Sequence, residues 1–148
     1  SATAAPLGLQ VFCLRASPFC APAPAVQVQA DAGLMSLLNA VNRSVNSAIR
    51  PQMRPTQVWT LGARVGDCKD YAMNKRAQLI ARGVPAGALR LAIGYTASGQ
   101  GHAVLVVRTT QGDLVLDNLT NTIKPFNQTG HTLVAISSSD PKKWNRIS

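Results

Sequence analysis

A helix start and a nucleophilic side chain coincide in residues 66–71, which read Gly-Asp-Cys-Lys-Asp-Tyr. A glycine before the start permits a tight turn, and the Asp67 carboxylate can accept hydrogen bonds from the free N–H groups of a first helical turn. We therefore predict a helix that begins at Asp67 and ends before Gly83. Cys68 would lie in its first turn, where the helix dipole favours a thiolate.

The helix dipole alone does not ionise a cysteine at neutral pH. It contributes roughly 0.3–1 kcal/mol, which is less than the about 1.4 kcal/mol that corresponds to one pKa unit. The negative charges of Asp67 and Asp70 oppose ionisation further. A reactive Cys68 therefore needs a cationic partner, and an imidazolium is the usual one. The alternative is that Cys68 is a small core residue, but a core position does not explain its charged neighbours Asp67, Lys69 and Asp70.

The sequence offers 2 histidines as that partner, His102 and His131. His102 opens the apolar run His-Ala-Val-Leu-Val-Val, a strand in which nothing polar is needed for packing. His131 follows Gly130 in an expected loop, where a side chain would be poorly held. We therefore predict that His102 is the partner of the cysteine; a purely structural strand histidine is the alternative.

Asp117 lies in the otherwise apolar run Leu-Val-Leu-Asp-Asn, where a carboxylate without a partner would be costly. Residues 102–108 and 113–118 are expected to form a hairpin across a four-residue loop, 109–112. In that register His102 and Asp117 are diagonal neighbours on one face, roughly 7 Å apart at the backbone. Asp117 is therefore the predicted third member of a Cys-His-Asp triad, with a strand-ending turn as the alternative.

The chain as a whole places helices before strands, which is the α+β pattern. Asp31 is expected to cap a helix that Pro51 ends. Strands are expected at 89–95, 102–108, 114–118 and 132–136, with a short edge at 144–147. Residues 1–29, rich in Ala and Pro, are expected to form an irregular arm, and 30–148 a single domain.

Charge and hydropathy restrict the class of protein. The formal net charge is +9, but the cations are scattered and no aromatic residues alternate with them to stack bases. We therefore expect a basic surface and no nucleic-acid partner. No apolar run approaches the roughly 18 residues of a membrane-spanning helix.

The 3 cysteines bear on the compartment. An odd number suggests one pair and one free thiol, so Cys13 and Cys20 are the candidate disulfide, which requires an oxidising environment. Three reduced thiols in a cytosolic protein are the alternative. The first residues lack the basic and apolar regions of a signal peptide, and we interpret the start as that of a chain from which such a peptide has been removed.

Most of the chain carries segments typical of one known family. They are residues 66–72, 75–76, 79–80, 83–85, 89–91, 102–105 and 115–118, with Phe12-Cys13, the Val-Asn pairs at 41–42 and 45–46, and Trp59 upstream. These segments resemble the bacterial transglutaminase-like cysteine peptidases, and Gly-Asp-Cys and Leu-Asp-Asn are the most specific among them. The resemblance implies a papain-like, transglutaminase-like α+β core, with N-terminal helices packed on an antiparallel sheet. It also implies a periplasmic or secreted enzyme that hydrolyses peptide bonds through Cys68, His102 and Asp117.

The resemblance further implies partners and a metal. Members of the best-known branch cut large surface adhesins and so control biofilm release, and an inner-membrane receptor restrains them. Their acidic residues around the nucleophile help to bind calcium; here Asp67 and Asp70 remain, but Lys69 replaces the usual glutamate. An ammonium on the same turn opposes a calcium ion, which prefers six to eight oxygen ligands. We therefore expect a monomer that requires no cofactor and binds calcium weakly if it binds it.

Details of the chemistry remain open at this stage. The backbone N–H of Cys68 is a candidate oxyanion donor, and Trp59 is a candidate for the cleft or for a second donor, with core packing as the alternative. The same triad could transfer an acyl group to an amine, as a transglutaminase or acyltransferase does. A non-catalytic module that binds the cell envelope is the remaining alternative.

Overall fold

The computed structural model describes residues 1–53 and 58–147. Over these residues the chain forms helices α1 (Leu7–Arg15), α2 (Ala32–Ala48) and α3 (Cys68–Ala81). Its strands are β1 (Ala2–Thr3), β2 (Arg50–Pro51), β3 (Val65–Gly66), β4 (Leu89–Tyr95), β5 (Gly101–Thr109), β6 (Gly112–Asp117), β7 (Thr120–Pro125), β8 (Thr132–Ser137) and β9 (Trp144–Arg146). No helix within this described part is long and apolar enough to cross a membrane.

The strands build one large antiparallel sheet in the order β1-β9-β8-β4-β5-β6-β7, and β2 and β3 form a separate parallel pair. Helices α2 and α3 pack against each other and against β5, β6 and β7. Their buried side chains join those of Leu91, Leu105 and Val107 in one apolar core. A second apolar cluster includes Val104 and Val106, which alternate with the first set along β5. The predicted α+β class with an antiparallel sheet is confirmed.

Helix α3 starts where the sequence predicts. Asp67 is the N-cap, and its Oδ1 accepts a hydrogen bond from the backbone N of Lys69 at 3.1 Å. In return, Oδ2 of Asp70 accepts one from the backbone N of Asp67 at 3.0 Å, which completes a capping box. A Cβ atom at Gly66 would lie 2.0 Å from Oδ2 of Asp70. Gly66 does not have a positive φ angle, so the backbone conformation does not require glycine at this position. The close approach of the Asp70 carboxylate does require it, because there is no room for a Cβ atom.

The β5–β6 hairpin has the predicted register, with Arg108 opposite Asp113. The connection is shorter than the expected four-residue loop, because Thr109 and Gly112 also pair. Gly112 has a φ of +107°, a conformation that glycine adopts without steric cost, and this lets the strands continue to a two-residue turn. Since the register is unchanged, His102 and Asp117 stay on one face of the sheet.

The expectation of an irregular arm over residues 1–29 is corrected by the structure. Pro6 is the N-cap of α1, and Pro18 stands in the first turn of a short 3-10 helix, so these prolines begin helical segments where they need no N–H bond. Cys13 and Cys20 form a disulfide and are buried. The segment packs into the same core as α2 and α3, and no domain boundary falls at residue 30.

The disulfide-bridged segment also contacts the middle of α3. Nη1 of Arg76 donates a hydrogen bond to the carbonyl oxygen of Phe19 at 2.9 Å, and its guanidinium lies 4.6 Å from the centre of the Phe19 ring. The same ring packs edge-on against Phe12. Arg76 is buried, so these contacts replace the water that a guanidinium otherwise binds.

Candidate active site

The free thiol lies where a helix meets the central sheet. Cys68 is the first residue of α3 and is half-buried, and it is the free cysteine of the described residues. Its Sγ accepts a hydrogen bond from the backbone N–H of Ala103 on β5 at 3.3 Å. One wall of the sulfur site is therefore β5, the strand that also carries His102. The helix-start position predicted for the thiol is the observed one.

His102 and Asp117 meet as the hairpin register predicts. Nε2 of His102 lies 2.8 Å from Oδ1 of Asp117, and both side chains are buried. Because Nε2 is bound to the carboxylate, Nδ1 is the ring nitrogen left for Cys68. Burial by itself lowers the pKa of His102, but the hydrogen bonds and charges of Asp117 and Cys68 outweigh it and raise the pKa to about 9.

The Asp117 carboxylate is held in its charged form. Burial acts to raise its pKa, but hydrogen bonds from His102, His131 and the Leu119 backbone, together with the charge of His102, hold the pKa well below its usual range. Lys75 on α3 also interacts electrostatically with the Asp117 carboxylate. Burial lowers the pKa of Lys75 to about 7, although the negative charge of Asp117 opposes this. The Lys75 Nζ has no hydrogen-bond partner among the described residues.

Sequence reasoning set His131 aside, and the structure brings it into the site. Its Nε2 lies 2.7 Å from Oδ2 of Asp117, and its ring centre lies 4.6 Å from that of His102. The residue is better held than an ordinary loop residue, because it directly precedes β8 and its backbone N donates to Oγ1 of Thr129. The sequence did contain a signal for this role of His131. The chain has only 2 histidines, and the second follows the predicted triad carboxylate, Asp117, by 14 residues.

The two imidazoles and the carboxylate also form a group of metal-ligand type. One ligand atom each from His102, Asp117 and His131 lies within 4.8 Å of the others. The N–O separations of 2.8 and 2.7 Å are those of hydrogen bonds. Ligands about 2.0–2.1 Å from a tetrahedral zinc ion would stand farther apart, at roughly 3.3 Å. The observed spacing favours shared protons over a shared metal.

The acidic residues around the nucleophile do not fit a calcium ion. Nζ of Lys69 lies 2.7 Å from Oδ2 of Asp67, and Lys69 is buried. Oδ1 of Asp70 accepts a hydrogen bond from Oγ1 of Thr60 at 2.6 Å. Together with the capping box, every oxygen of the two carboxylates has a donor. The Lys69 ammonium is thus already bound to the Asp67 carboxylate oxygen that a calcium ion would have to use as a ligand.

A cleft of about 600 Å³ opens over the sulfur. Its lining includes Cys68, His102 and Trp59, and apolar side chains such as those of Tyr95 and Leu119. Trp59 is 4% exposed, and its Nε1 has no hydrogen-bond partner among the described residues. Trp59 therefore lines the same cleft as Cys68, and its indole N–H has no acceptor within the described residues.

Comparisons with known proteins identify solved structures with a similar fold. Structures of LapG from Legionella pneumophila resemble the chain: the calcium-bound form has a TM-score of 0.67 at 25% identity, over 78% of this chain and 72% of LapG. Another LapG structure gives 0.62 at 26% identity over 70% and 65% of the two chains, and an EGTA-treated one gives 0.63 at 26% over 71% and 63%. A search of curated proteins gives no match.

The family assignment rests on the sequence pattern of the whole chain. Residues 1–148 match the pattern of one protein family, described as the bacterial transglutaminase-like cysteine proteinases (BTLCP). The chain belongs to this family of cysteine peptidases.

Proposed function

We propose that the chain is a cysteine endopeptidase in which Cys68, His102 and Asp117 act as a catalytic triad. The observation that carries the proposal is the 2.8 Å contact between Nε2 of His102 and Oδ1 of Asp117. His102 lies on β5, and the next residue of that strand, Ala103, donates its backbone N–H to the sulfur of Cys68. A carboxylate in this place fixes the ring and stabilises its charged form. The ring can then accept the proton of the thiol through Nδ1.

The proposed reaction proceeds in two steps. The Cys68 thiol transfers its proton to His102, and the thiolate attacks the peptide carbonyl. The imidazolium gives the proton to the leaving amine, and an acyl-enzyme remains. Water, deprotonated by the same ring, then attacks the thioester and releases the acid and the free thiol. Substrate can reach the sulfur through the cleft, whose lining is largely apolar.

Two N–H groups are proposed to stabilise the oxyanion. The backbone N–H of Cys68 lies at the start of α3, where N–H groups have no acceptor within the helix. The Trp59 indole is the second candidate, because it is buried at the cleft with its Nε1 unpaired within the described residues. Donors of this kind are typically worth about 10²–10³ in kcat.

The test of the triad is the Cys68→Ala variant. It is expected to lose turnover of a fluorogenic protein substrate completely and to retain its circular dichroism spectrum and melting temperature. The matched control is Ser36→Ala, a small change at an exposed position of α2 that does not line the cleft. Turnover in the Cys68→Ala variant would exclude the proposal. Incorporation of a labelled primary amine in place of hydrolysis would show a transglutaminase or acyltransferase.

We propose a periplasmic or secreted site of action and a surface adhesin as the substrate. The Cys13–Cys20 disulfide supports the compartment, because such bridges persist in oxidising surroundings. The likeness to LapG supports the substrate class, whereas an inner-membrane receptor as a regulator is proposed from the family resemblance alone. Cleavage of a purified adhesin N-terminal region, mapped by mass spectrometry, tests the substrate; an intact adhesin beside a turned-over model peptide would reject it.

We propose that the enzyme needs no calcium. The Lys69 ammonium neutralises Asp67 at 2.7 Å, and Thr60 satisfies the second carboxylate. A built-in cation of this kind stabilises the same carboxylates without a metal. The calcium-bound form of LapG belongs to a relative with 25% identity, so its metal is not transferred to this chain.

A further inference from the structure

One buried carboxylate in the site is bound by two imidazoles. Oδ1 of Asp117 contacts Nε2 of His102 at 2.8 Å and also accepts from the Leu119 backbone N–H at 3.1 Å. Oδ2 contacts Nε2 of His131 at 2.7 Å. The side chains of the three titratable residues are only 5–9% exposed. The proposed triad uses Oδ1 alone and gives no role to the second imidazole.

The second oxygen needs a donor if the carboxylate is to keep its orientation. A carboxylate held at Oδ1 alone can rotate about its Cβ–Cγ bond, and rotation would break the alignment with His102. The Asp117 side chain is only 7% exposed, which leaves little room for water to serve as the donor to Oδ2. Lys75 interacts with Asp117 through its charge, but its Nζ makes no hydrogen bond to a described residue. His131 is therefore the side chain that binds Oδ2.

We propose that His131 is a positioning residue of the active site, which donates its Nε2–H to Oδ2 of Asp117 and so holds Oδ1 toward His102. The inference rests on the proposed triad. A carboxylate oxygen can only accept, so the proton of this bond lies on Nε2 of His131.

His131 does not take the role of the base. Its Nε2 is engaged with the carboxylate on the side opposite to the bond made by His102, and His131 does not line the cleft. Its effect on the reaction is therefore expected to pass through Asp117, and the variants His131→Gln and His131→Met, which both lack the ring, separate this route from the edge contact with His102. Loss of the donor is expected to lower kcat and to leave KM nearly unchanged, because the bound substrate does not touch the ring.

The experiment compares His131→Gln with His131→Met. The Gln side chain places an N–H donor at about the position of Nε2, whereas Met fills similar space without a donor. Expected kcat values are within about threefold of the wild type for Gln and about 10- to 100-fold lower for Met, which corresponds to about 1.4–2.7 kcal/mol. The KM is expected to change less than about twofold in both. Equal kcat values for the two variants, or a change confined to KM, would overturn the proposal.

A measurement on the unaltered enzyme covers the case in which a variant does not fold. In a ¹⁵N-histidine-labelled wild type, the proposal predicts that Nε2 of both rings carries a proton with a far-downfield ¹H resonance. A His131 ring protonated only on Nδ1 would overturn the inference without any substitution. Parallel assays of the wild type and of Cys68→Ala distinguish failure of the proposed peptidase activity from failure of the proposed role of His131. A wild type without thiol-dependent turnover rejects the peptidase, whereas an active wild type matched by His131→Met rejects only the positioning role.

Discussion

Two carboxylate sites lie on either side of the nucleophile, and they are neutralised by different chemistry. At the start of α3, Asp67 is paired with the ammonium of Lys69, and Asp70 with N–H and hydroxyl donors. Across the sulfur, Asp117 is bound by two imidazoles, His102 and His131. The Lys69 ammonium is fixed on Asp67 by a 2.7 Å salt bridge, whereas an imidazole is the side chain suited to accept and release a proton during a reaction. The first site is therefore suited to fix the helix start, and the second to move protons.

The largest effect expected from this comparison is on catalysis when Asp117 loses its charge. Asp117→Asn keeps the size of the side chain but removes the anion that orients His102 and stabilises its imidazolium. We expect kcat to fall by roughly 10³- to 10⁴-fold, as in other triads. Steady-state kinetics measure the loss, and Asp113→Asn at the far end of the same strand is the control. A loss of less than about tenfold would show that Asp117 is not a triad member.

An intermediate effect is expected in the pH dependence of stability. The pKa of His102 is raised above its ordinary 6.5 to about 9. Its stabilising contribution is therefore complete below about pH 6.5 and is lost as the pH rises through about 9. The full contribution corresponds to up to about 3 kcal/mol of unfolding free energy. Lys75, with its pKa lowered to about 7, acts in the opposite direction over the alkaline range, so the total stability can stay nearly flat.

The measurement is therefore a difference between two proteins. Guanidinium unfolding of the wild type and of His102→Gln at several pH values between about 6 and 10 isolates the contribution of the ring. The gap in unfolding free energy is expected to narrow as the pH rises through about 9. A gap that is constant across this range would contradict the raised pKa.

The smallest effect concerns the helix-start site. Lys69→Glu replaces the ammonium with a third carboxylate and is expected to create a calcium site where we propose that the wild type has none. Calcium at about ten times its Kd would stabilise the variant by about 1.4 kcal/mol, a rise in Tm of roughly 3–6 °C. Thermal melts with calcium and with EGTA measure this rise. Lys69→Gln is the control, and a calcium-dependent rise in the wild type would refute the built-in cation.

The parts of the fold that the sequence revealed are those governed by local rules. The cap at Asp67 placed the thiol in a first helical turn, and the register of β5 and β6 placed the first imidazole near Asp117. Each depends on hydrogen bonds or pairings between residues close in the chain. The register needed only the short separation of the two strands.

The features that escaped prediction depend on distant partners. Strand β7 is polar and half-exposed, and it is held by amide side chains of α2: Asn42 and Asn46 both donate to the Thr120 carbonyl oxygen. Helix α1 has little amphipathic pattern, and the prolines before and after it suggested an irregular segment. His131 joins the site only because β8 lies beside β4 in the sheet, a neighbour relation that its loop sequence does not encode.

The contact between Arg76 and Phe19 has a consequence for the order of events in the life of the enzyme. Arg76 lies two turns along the helix that begins with Cys68, and its carbonyl acceptor belongs to the loop closed by the Cys13–Cys20 bridge. In a reducing compartment the disulfide would not close that loop, and the Phe19 carbonyl oxygen would no longer be held in place as the acceptor for the Arg76 guanidinium. A newly made chain would then complete the support of its reactive helix only after the Cys13–Cys20 disulfide has formed.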